Sequence, residues 1–426
     1  MEHYPSGLQT TVNFPLVEAL LGRRSRRFAL GATLPDGPLA FTSRHEPHPL
    51  SELEKMLVLS AAAGNTGWHH MINRREGAQG LPGYAAVAGG RTFPAGAGWH
   101  SSELFFTDDI GVYLFETRDQ PALVERAEDG SIELAEMLAA HRQCIRKLSD
   151  GRLKLPAEPP FVARHNTWCA NLPGSLLLIP VTDVSLLLLT FLSYMAQNGA
   201  CIYDNVHGEQ IAGIERFRHL VDVDNPAPLT EFELSAFSFS TIEMANSCYA
   251  GMLMLQAMGL GGWIYTGMNG LAVLGASGKA EVPGLGFRYD TDDRWPTPNV
   301  TGLSGIFEAH CPPHYPDMRA AVEALAAQKF GNSGSYHAET PGPWKTTSAV
   351  RGSAQAYSEE FKECIALMAQ HIYDRFGKFP GTVPSIRVET YLQAHHLDLE
   401  FYDEHFNPGA YLWTHAQHMA DWHSGE

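Results

Sequence analysis

Apolar residues recur at helical spacing in several separated windows of this chain, and residues that start or stop a helix bound each window. Leu53, Met56, Leu57 and Leu59, continued by residues 60–63, make one apolar face; Ser51 stands at the N-cap and Gly64 at the stop. Over residues 358–376 the face is Phe361, Ile365, Met368 and Ile372, with Ser358 as cap and Gly377 as stop. Ile242, Ala245, Tyr249, Met252, Leu253 and Gln256 repeat the pattern, while Ala245, Ser247, Ala250 and Gly251 keep part of that helix small enough for close approach by another. Gly259, Gly261 and Gly262 then end it and turn the chain into a short strand over 263–265. Residues 13–22 predict a short helix capped by Asn13 with Pro15 in its first turn, 133–148 an amphipathic helix, and 317–327 a helix begun at Asp317.

Strand patterns occupy 102–106 and 111–115, separated by an Asp108-Asp109 turn. Residues 175–195 form an apolar run long enough to raise the question of a membrane span, but Pro180 and Asp183 interrupt it. They predict a strand up to Pro180 and a buried helix capped by Asp183. The Gly- and Pro-rich residues 270–316 predict a long irregular segment, of the kind used as a lid, a substrate loop or an arm over a partner subunit. Residues 331–342 mark a boundary, giving a core over 1–335 and a C-terminal extension over 336–426.

A chain of 426 residues can bury a full core, and its net charge of −17 argues against general binding to nucleic acid or anionic membranes. A small-molecule substrate is the expected partner. The six cysteines are scattered without a CxxC pair, as expected of reduced, mainly buried thiols. The first residues lack the basic flank and apolar run of a signal peptide, so a soluble, cytoplasmic protein is expected.

Within this acidic chain the densest positive cluster is Arg23 to Phe28, RRSRRF, directly after the short helix. Arg23, Arg24, Ser25 and Arg27 offer planar bidentate donors and a hydroxyl, a set suited to clamping a phosphate. Arginine-rich turns also serve as solvated helix ends paired with surface acids. Residues 64–69, small and polar, read as a helix exit with Trp68 packed beneath it. Arg91, Pro94, Ala95 and Gly96 belong to a Pro-Gly loop whose backbone N–H groups a ligand can approach.

The arginine cluster after a short helix, followed by Pro49-Leu50-Ser51-Glu52-Leu53, resembles the opening of the FMN-dependent nitroreductase family. The stretch Arg91-Thr92-Phe93-Pro94-Ala95-Gly96-Ala97, with Gly111-Val112-Tyr113-Leu114-Phe115 after it, is similar to the branch of that family that oxidises azoline rings; Ala95 and Ala97 replace the usual serine and glycine. Asn246, Leu253, Ala257, Gly259, Leu260, Gly261 and Trp263 match its central helix and GLG turn.

The resemblance covers about residues 10 to 330. It implies an α+β nitroreductase-like fold, with a mostly antiparallel central sheet flanked by helices and a C-terminal helical extension. It also implies a homodimer with two interfacial flavins. FMN would be held by Arg23, Arg24, Ser25, Arg27, Asn65, Thr66, Arg91, Pro94, Ala95, Gly96, Gly261 and Gly262. NAD(P)H is the implied reductant and a small organic molecule the acceptor. An oxidative direction and a non-catalytic flavin-binding role stay open, as does the general acid, for which Tyr265 and His100 stand near the motifs. The histidines of the tail, among them His395, His396, His415, His418 and His423, do not follow a zincin spacing; packing against the core or a partner is the expected role, and no metal is assigned.

Overall fold

Along the two central strands, alternate side chains enter two different cores. Phe105, Leu177, Ile179 and Val181 join one buried cluster, whereas Leu104, Phe106, Leu176 and Leu178 join another. A strand buried on both faces reads as a continuous apolar run, which is why 175–181 lacks polar alternation. In the computed structural model, which describes residues 4–72, 74, 80–124 and 126–424, these strands lie inside a seven-stranded sheet whose pairings are all antiparallel.

A two-stranded ribbon, β1 (Asn65–Trp68) with β2 (Gly89–Arg91), precedes the sheet strands β3 (Ser102–Thr107), β4 (Gly111–Phe115), β5 (Ile145–Asp150), β6 (Leu176–Asp183), β7 (Gly261–Tyr265), β8 (Ile386–Arg387) and β9 (Tyr391–His395). Their order is β7-β9-β6-β3-β4-β5, and β8 pairs with the end of β6. The fold is therefore mixed α and β with mostly antiparallel sheets. Residues 336–426, expected as an extension, thread β9 between β7 and β6, so this late segment helps to build the sheet.

The helices include α1 (Ser6–Asn13), α2 (Leu16–Gly22), α3 (Glu52–Ala63), α4 (Leu134–Gln143), α5 (Val184–Gln197), α6 (Leu229–Met258), α7 (Met318–Phe330), α8 (Glu359–Phe376) and α9 (Trp413–Trp422). Local signals mark many of the ends. Ser51 and Glu54 form a capping box on α3, Asp183 caps α5 through Leu186 N–H, Asp317 caps α7, and Ser358 caps α8, which ends at Gly377 in the left-handed region. No helix among the described residues is long and apolar enough to cross a membrane.

Four expectations need correction. Asn13 ends α1 instead of capping α2, because Phe14-Pro15 breaks the helix between them. The helix expected over 133–148 stops at Gln143, and Ile145–Asp150 leaves as β5 to pair with β4. The helix read from the pattern starting at Ile242 begins earlier, at Leu229. Within 270–316, a short helix at Gly270–Leu274 and a three-stranded antiparallel sheet of Arg288–Asp290, Asn299–Leu303 and Phe307–Glu308 replace the irregular segment.

α6 joins the two cores. Leu229, Phe232 and Ala236 pack on one side of the sheet with α5 and α8, whereas Cys248, Met252, Leu255 and Met258 pack on the other with α3. Its stop, Gly259, has φ +79 and lies so close to the last helix that a Cβ there would stand 2.2 Å from the Thr414 carbonyl oxygen.

α7 buries Lys329 completely, with Nζ donating to Gly83 O at 3.0 Å and to the Tyr357 hydroxyl at 2.9 Å. Burial holds its pKa down to about 7. Between pH 7 and the ordinary lysine value the unfolded chain binds the proton that the folded chain has released, so stability should rise with pH by at most about 1.4 kcal/mol per unit. Urea unfolding of Lys329→Met should show that slope flattened; an unchanged slope would place its origin in other groups.

Candidate functional site

The residues expected to bind a ligand fall into two groups, each next to a different part of α6. The first is the arginine turn. Arg23 caps the C-terminus of α2, Arg24 and Ser25 are exposed, and the Arg27 guanidinium lies 5.6 Å from the centre of the Trp263 ring. Arg24 donates to the carbonyls of Leu21 and Arg23, whereas the side chains of Arg23, Ser25 and Arg27 have no hydrogen-bond partner among the described residues. Arg26, the residue the phosphate-clamp reading passed over, is buried. It donates to Gln256 Oε1 at 2.7 Å, Ala410 O at 2.9 Å and Gly22 O at 3.2 Å, and burial pulls its pKa down to about 10.

Gly261 and Gly262 belong to this first group. Arg26 N–H donates to Gly262 O at 3.1 Å and Gly262 N–H donates back to Arg26 O at 2.8 Å, so the turn is stitched onto the edge of β7. A Cβ on Gly262 would stand 2.2 Å from Gln393 O in the neighbouring strand, which is why glycine is required where β7 pairs with β9.

The second group surrounds the β1–β2 ribbon. A cavity of about 790 Å³ is lined by Thr66, Trp68, His69, Arg91, Pro94, Ala95 and His100, with His70 and Arg126 at its wall. That volume lies within the range of small-molecule and cofactor sites. Gly96 starts a tight turn beside it, packed on Phe239 of α6. Asn65 takes a different role: its side chain donates to Pro121 O and accepts from the N–H groups of Gly67 and Leu123, so it ties the ribbon to the following loop.

Buried charge fixes this wall. Glu243, on α6, accepts from the N–H and hydroxyl groups of both Ser101 and Ser102, at 2.7 to 3.2 Å. Burial opposes its ionisation, but the neighbouring His100 ring and the Ser102 donors outweigh it and hold the carboxyl below its ordinary pKa. Arg91 is buried with its terminal nitrogens on Ala63 O and Ser102 O, and its guanidinium is 5.1 Å from the Phe93 ring centre.

Three buried nitrogens beside the cavity have no partner among the described residues: Arg91 Nε, His69 Nδ1 and His100 Nδ1, the last 3.7 Å from Glu243 Oε1 and too far for a hydrogen bond. Burial lowers the pKa values of His69 and His100, so both rings are held toward the neutral form. Neutral imidazoles and a guanidinium together can bind the carbonyl or anionic edge of a planar ligand. Sequence reasoning had Arg91 and mentioned His100 but passed over His69, His70 and Glu243; the paired histidines following Trp68 were the available signal for the first two. Tyr265 is different: it is buried, stacks on Trp263, and its hydroxyl meets Met268 Sδ, away from the cavity wall.

The two groups are separated along α6. Asn246 Nδ2 donates to Pro94 O beside the cavity, and Gln256 accepts from Arg26 at the arginine turn. Ten residues of helix place these contacts about 15 Å apart along the axis. Over the same region Leu16, Val17, Leu20 and Leu21 of α2 and Ile242 and Tyr249 of α6 are exposed, with Leu21 at 74 %.

No family model and no curated protein matches the chain. Among solved structures it is similar to a chain from Ralstonia eutropha described as a "putative nitroreductase", with 15% identity over 60% of this chain and 72% of that one and a TM-score of 0.29, a level at which two folds need not correspond.

Proposed function

We propose that this protein is an FMN-dependent oxidoreductase of the nitroreductase type, working in the cytoplasm as a homodimer on a small organic molecule with NAD(P)H as reductant. The observation that carries the reading is the cavity at the Arg91–Ala95 loop, where the unpartnered nitrogens of Arg91, His69 and His100 meet the stretch whose sequence resembles a flavin-contacting loop. The donor set fits the cofactor: Arg23, Ser25 and Arg27 have the charge and hydroxyl for a phosphate, and the cavity nitrogens can hydrogen-bond a flavin ring edge.

Within one chain these two donor sets stand apart along α6. A two-fold dimer that covers the apolar side chains of α2 and α6 would let one protomer offer its arginine turn and the other its cavity. Bound FMN would supply the hydride-transfer chemistry. The chain would position it, with Phe93 and Trp68 keeping water from the cavity wall and Glu243 holding the His100 segment in place.

The visible absorption spectrum of the purified protein tests it, followed by release and identification of any flavin. About one FMN per chain is the expected result. A colourless protein that also fails to bind added FMN would sink the flavoenzyme reading and leave the arginine turn a structural element.

A further inference from the structure

The start of α3, the end of β9 and the last helix meet at a buried cluster that the flavin reading does not use. Glu54, His396, His418 and His423 each present one ligand-type atom, all within 4.8 Å of one another. Glu54 is fully buried, and His396 and His418 are 1% and 3% exposed. The rings of His396 and His423 are also packed by His48, at centroid distances of 4.8 and 5.0 Å. Of the tail histidines, His418 is therefore grouped with residues distant in sequence and not with its neighbour His415, whose Nδ1 instead accepts from Leu412 N–H at the start of α9.

Hydrogen bonds outside the cluster orient what faces inward. Glu54 Oε2 accepts from Ser51 N–H at 2.6 Å in the capping box, which turns Oε1 toward the histidines. His418 Nδ1 lies 2.7 Å from the Met258 carbonyl oxygen, an acceptor, so Nδ1 carries the proton and a neutral ring presents its lone pair at Nε2. That Nε2 stands 2.9 Å from Glu54 Oε1 and 3.0 Å from His396 Nδ1; His423 Nε2 is 3.3 Å from the same oxygen.

Electron-rich atoms crowded to such distances require a shared cation. A proton serves two of them at once, whereas a metal ion serves all four. These three separations are close to the edge of about 3.3 Å expected of a tetrahedron with ligand distances near 2.0 Å, and every other pair lies within 4.8 Å. The carbonyl behind His418 is the outer support found behind metal-bound imidazoles.

We propose that Glu54, His396, His418 and His423 bind one divalent transition-metal ion. Three imidazoles and a carboxylate in a four-coordinate arrangement suit Zn²⁺. Four protein ligands close the coordination sphere, and they come from α3, the end of β9 and both ends of the last turns of α9, so the ion is structural: it fastens the C-terminal helix to the sheet and to α3.

The test uses the full chain, purified without a histidine tag and without metal-affinity steps. Elemental analysis should find about one zinc per chain, dialysis against a chelator should lower the Tm, and added Zn²⁺ should restore it. Co²⁺ added to the stripped protein should give the intense visible absorption of a tetrahedral site. His423→Gln, beyond the end of α9 and therefore the mildest change, should weaken Co²⁺ binding by roughly tenfold or more while the protein stays folded. Stripped wild-type protein with no Co²⁺ absorption and no Tm response to Zn²⁺ would overturn the proposal, as would His423→Gln binding Co²⁺ like wild type; the cluster would then be a proton-sharing network.

Discussion

Glu243→Ala is expected to destabilise the protein by about 3–5 kcal/mol, while Glu243→Gln costs only about 1–2 kcal/mol. The alanine variant strands two backbone N–H groups and two hydroxyls, all buried, that converge on the carboxylate from Ser101 and Ser102. It also removes the negative charge beside buried Arg91. Glutamine keeps an oxygen where Oε1 accepts from both N–H groups and the Ser102 hydroxyl, and its NH₂ can donate to Ser101 Oγ, whose hydroxyl can rotate. The contrast separates hydrogen-bond satisfaction from charge. Urea unfolding at neutral pH measures both; an alanine variant within about 1 kcal/mol of wild type would mean that this carboxylate does not hold the cavity wall.

The same residue shows what the sequence could not reveal. Glu243 sits in a stretch that reads as an amphipathic helix, and nothing near it announces that its partners lie 141 and 142 residues away. Features fixed by neighbours in sequence were legible: the Ser51 cap and Gly64 stop of α3, the Asp183 cap that divides an apolar run into β6 and α5, and the Ser358 and Gly377 ends of α8. Features fixed by distant pairing were not. Ile145–Asp150 has enough helical character to extend α4 on paper, yet β4 offers it a ladder. Tyr391–His395 lies far along the chain from β6 and β7, between which it inserts. The candidate site divides in the same way. Arg91, Pro94 and Ala95 were readable as one ligand-facing loop, the resemblance added Thr66, and all four line one cavity, but the burial of Arg26 and the occupied side chain of Asn65 depend on contacts no local pattern encodes. Glu54 was readable only as a helix-start residue; its second oxygen acquires a role once the last helix has docked.

The four arginines of the turn should separate into two kinds by what their loss changes. Arg23→Ala combined with Arg27→Ala is expected to weaken FMN binding by about a hundredfold or more, since each lost charge-assisted hydrogen bond to a phosphate is worth about 1.5–3 kcal/mol. Neither side chain has a hydrogen-bond partner among the described residues, so stability should change little. Arg26→Ala should do the reverse in the apoprotein: it leaves Gln256 Oε1 and the carbonyls of Ala410 and Gly22 without their donor, at a cost of about 2–4 kcal/mol. Fluorescence titration with FMN and with riboflavin, which lacks the phosphate, distinguishes a phosphate contact from a general loss of binding. Wild type should prefer FMN, and the double variant should bind the two flavins alike, with its affinity for riboflavin near that of wild type. Equal binding of FMN and riboflavin by wild type would remove the phosphate role from this turn, even if the cavity 15 Å along α6, by a rise of about 1.5 Å per residue, still held the ring.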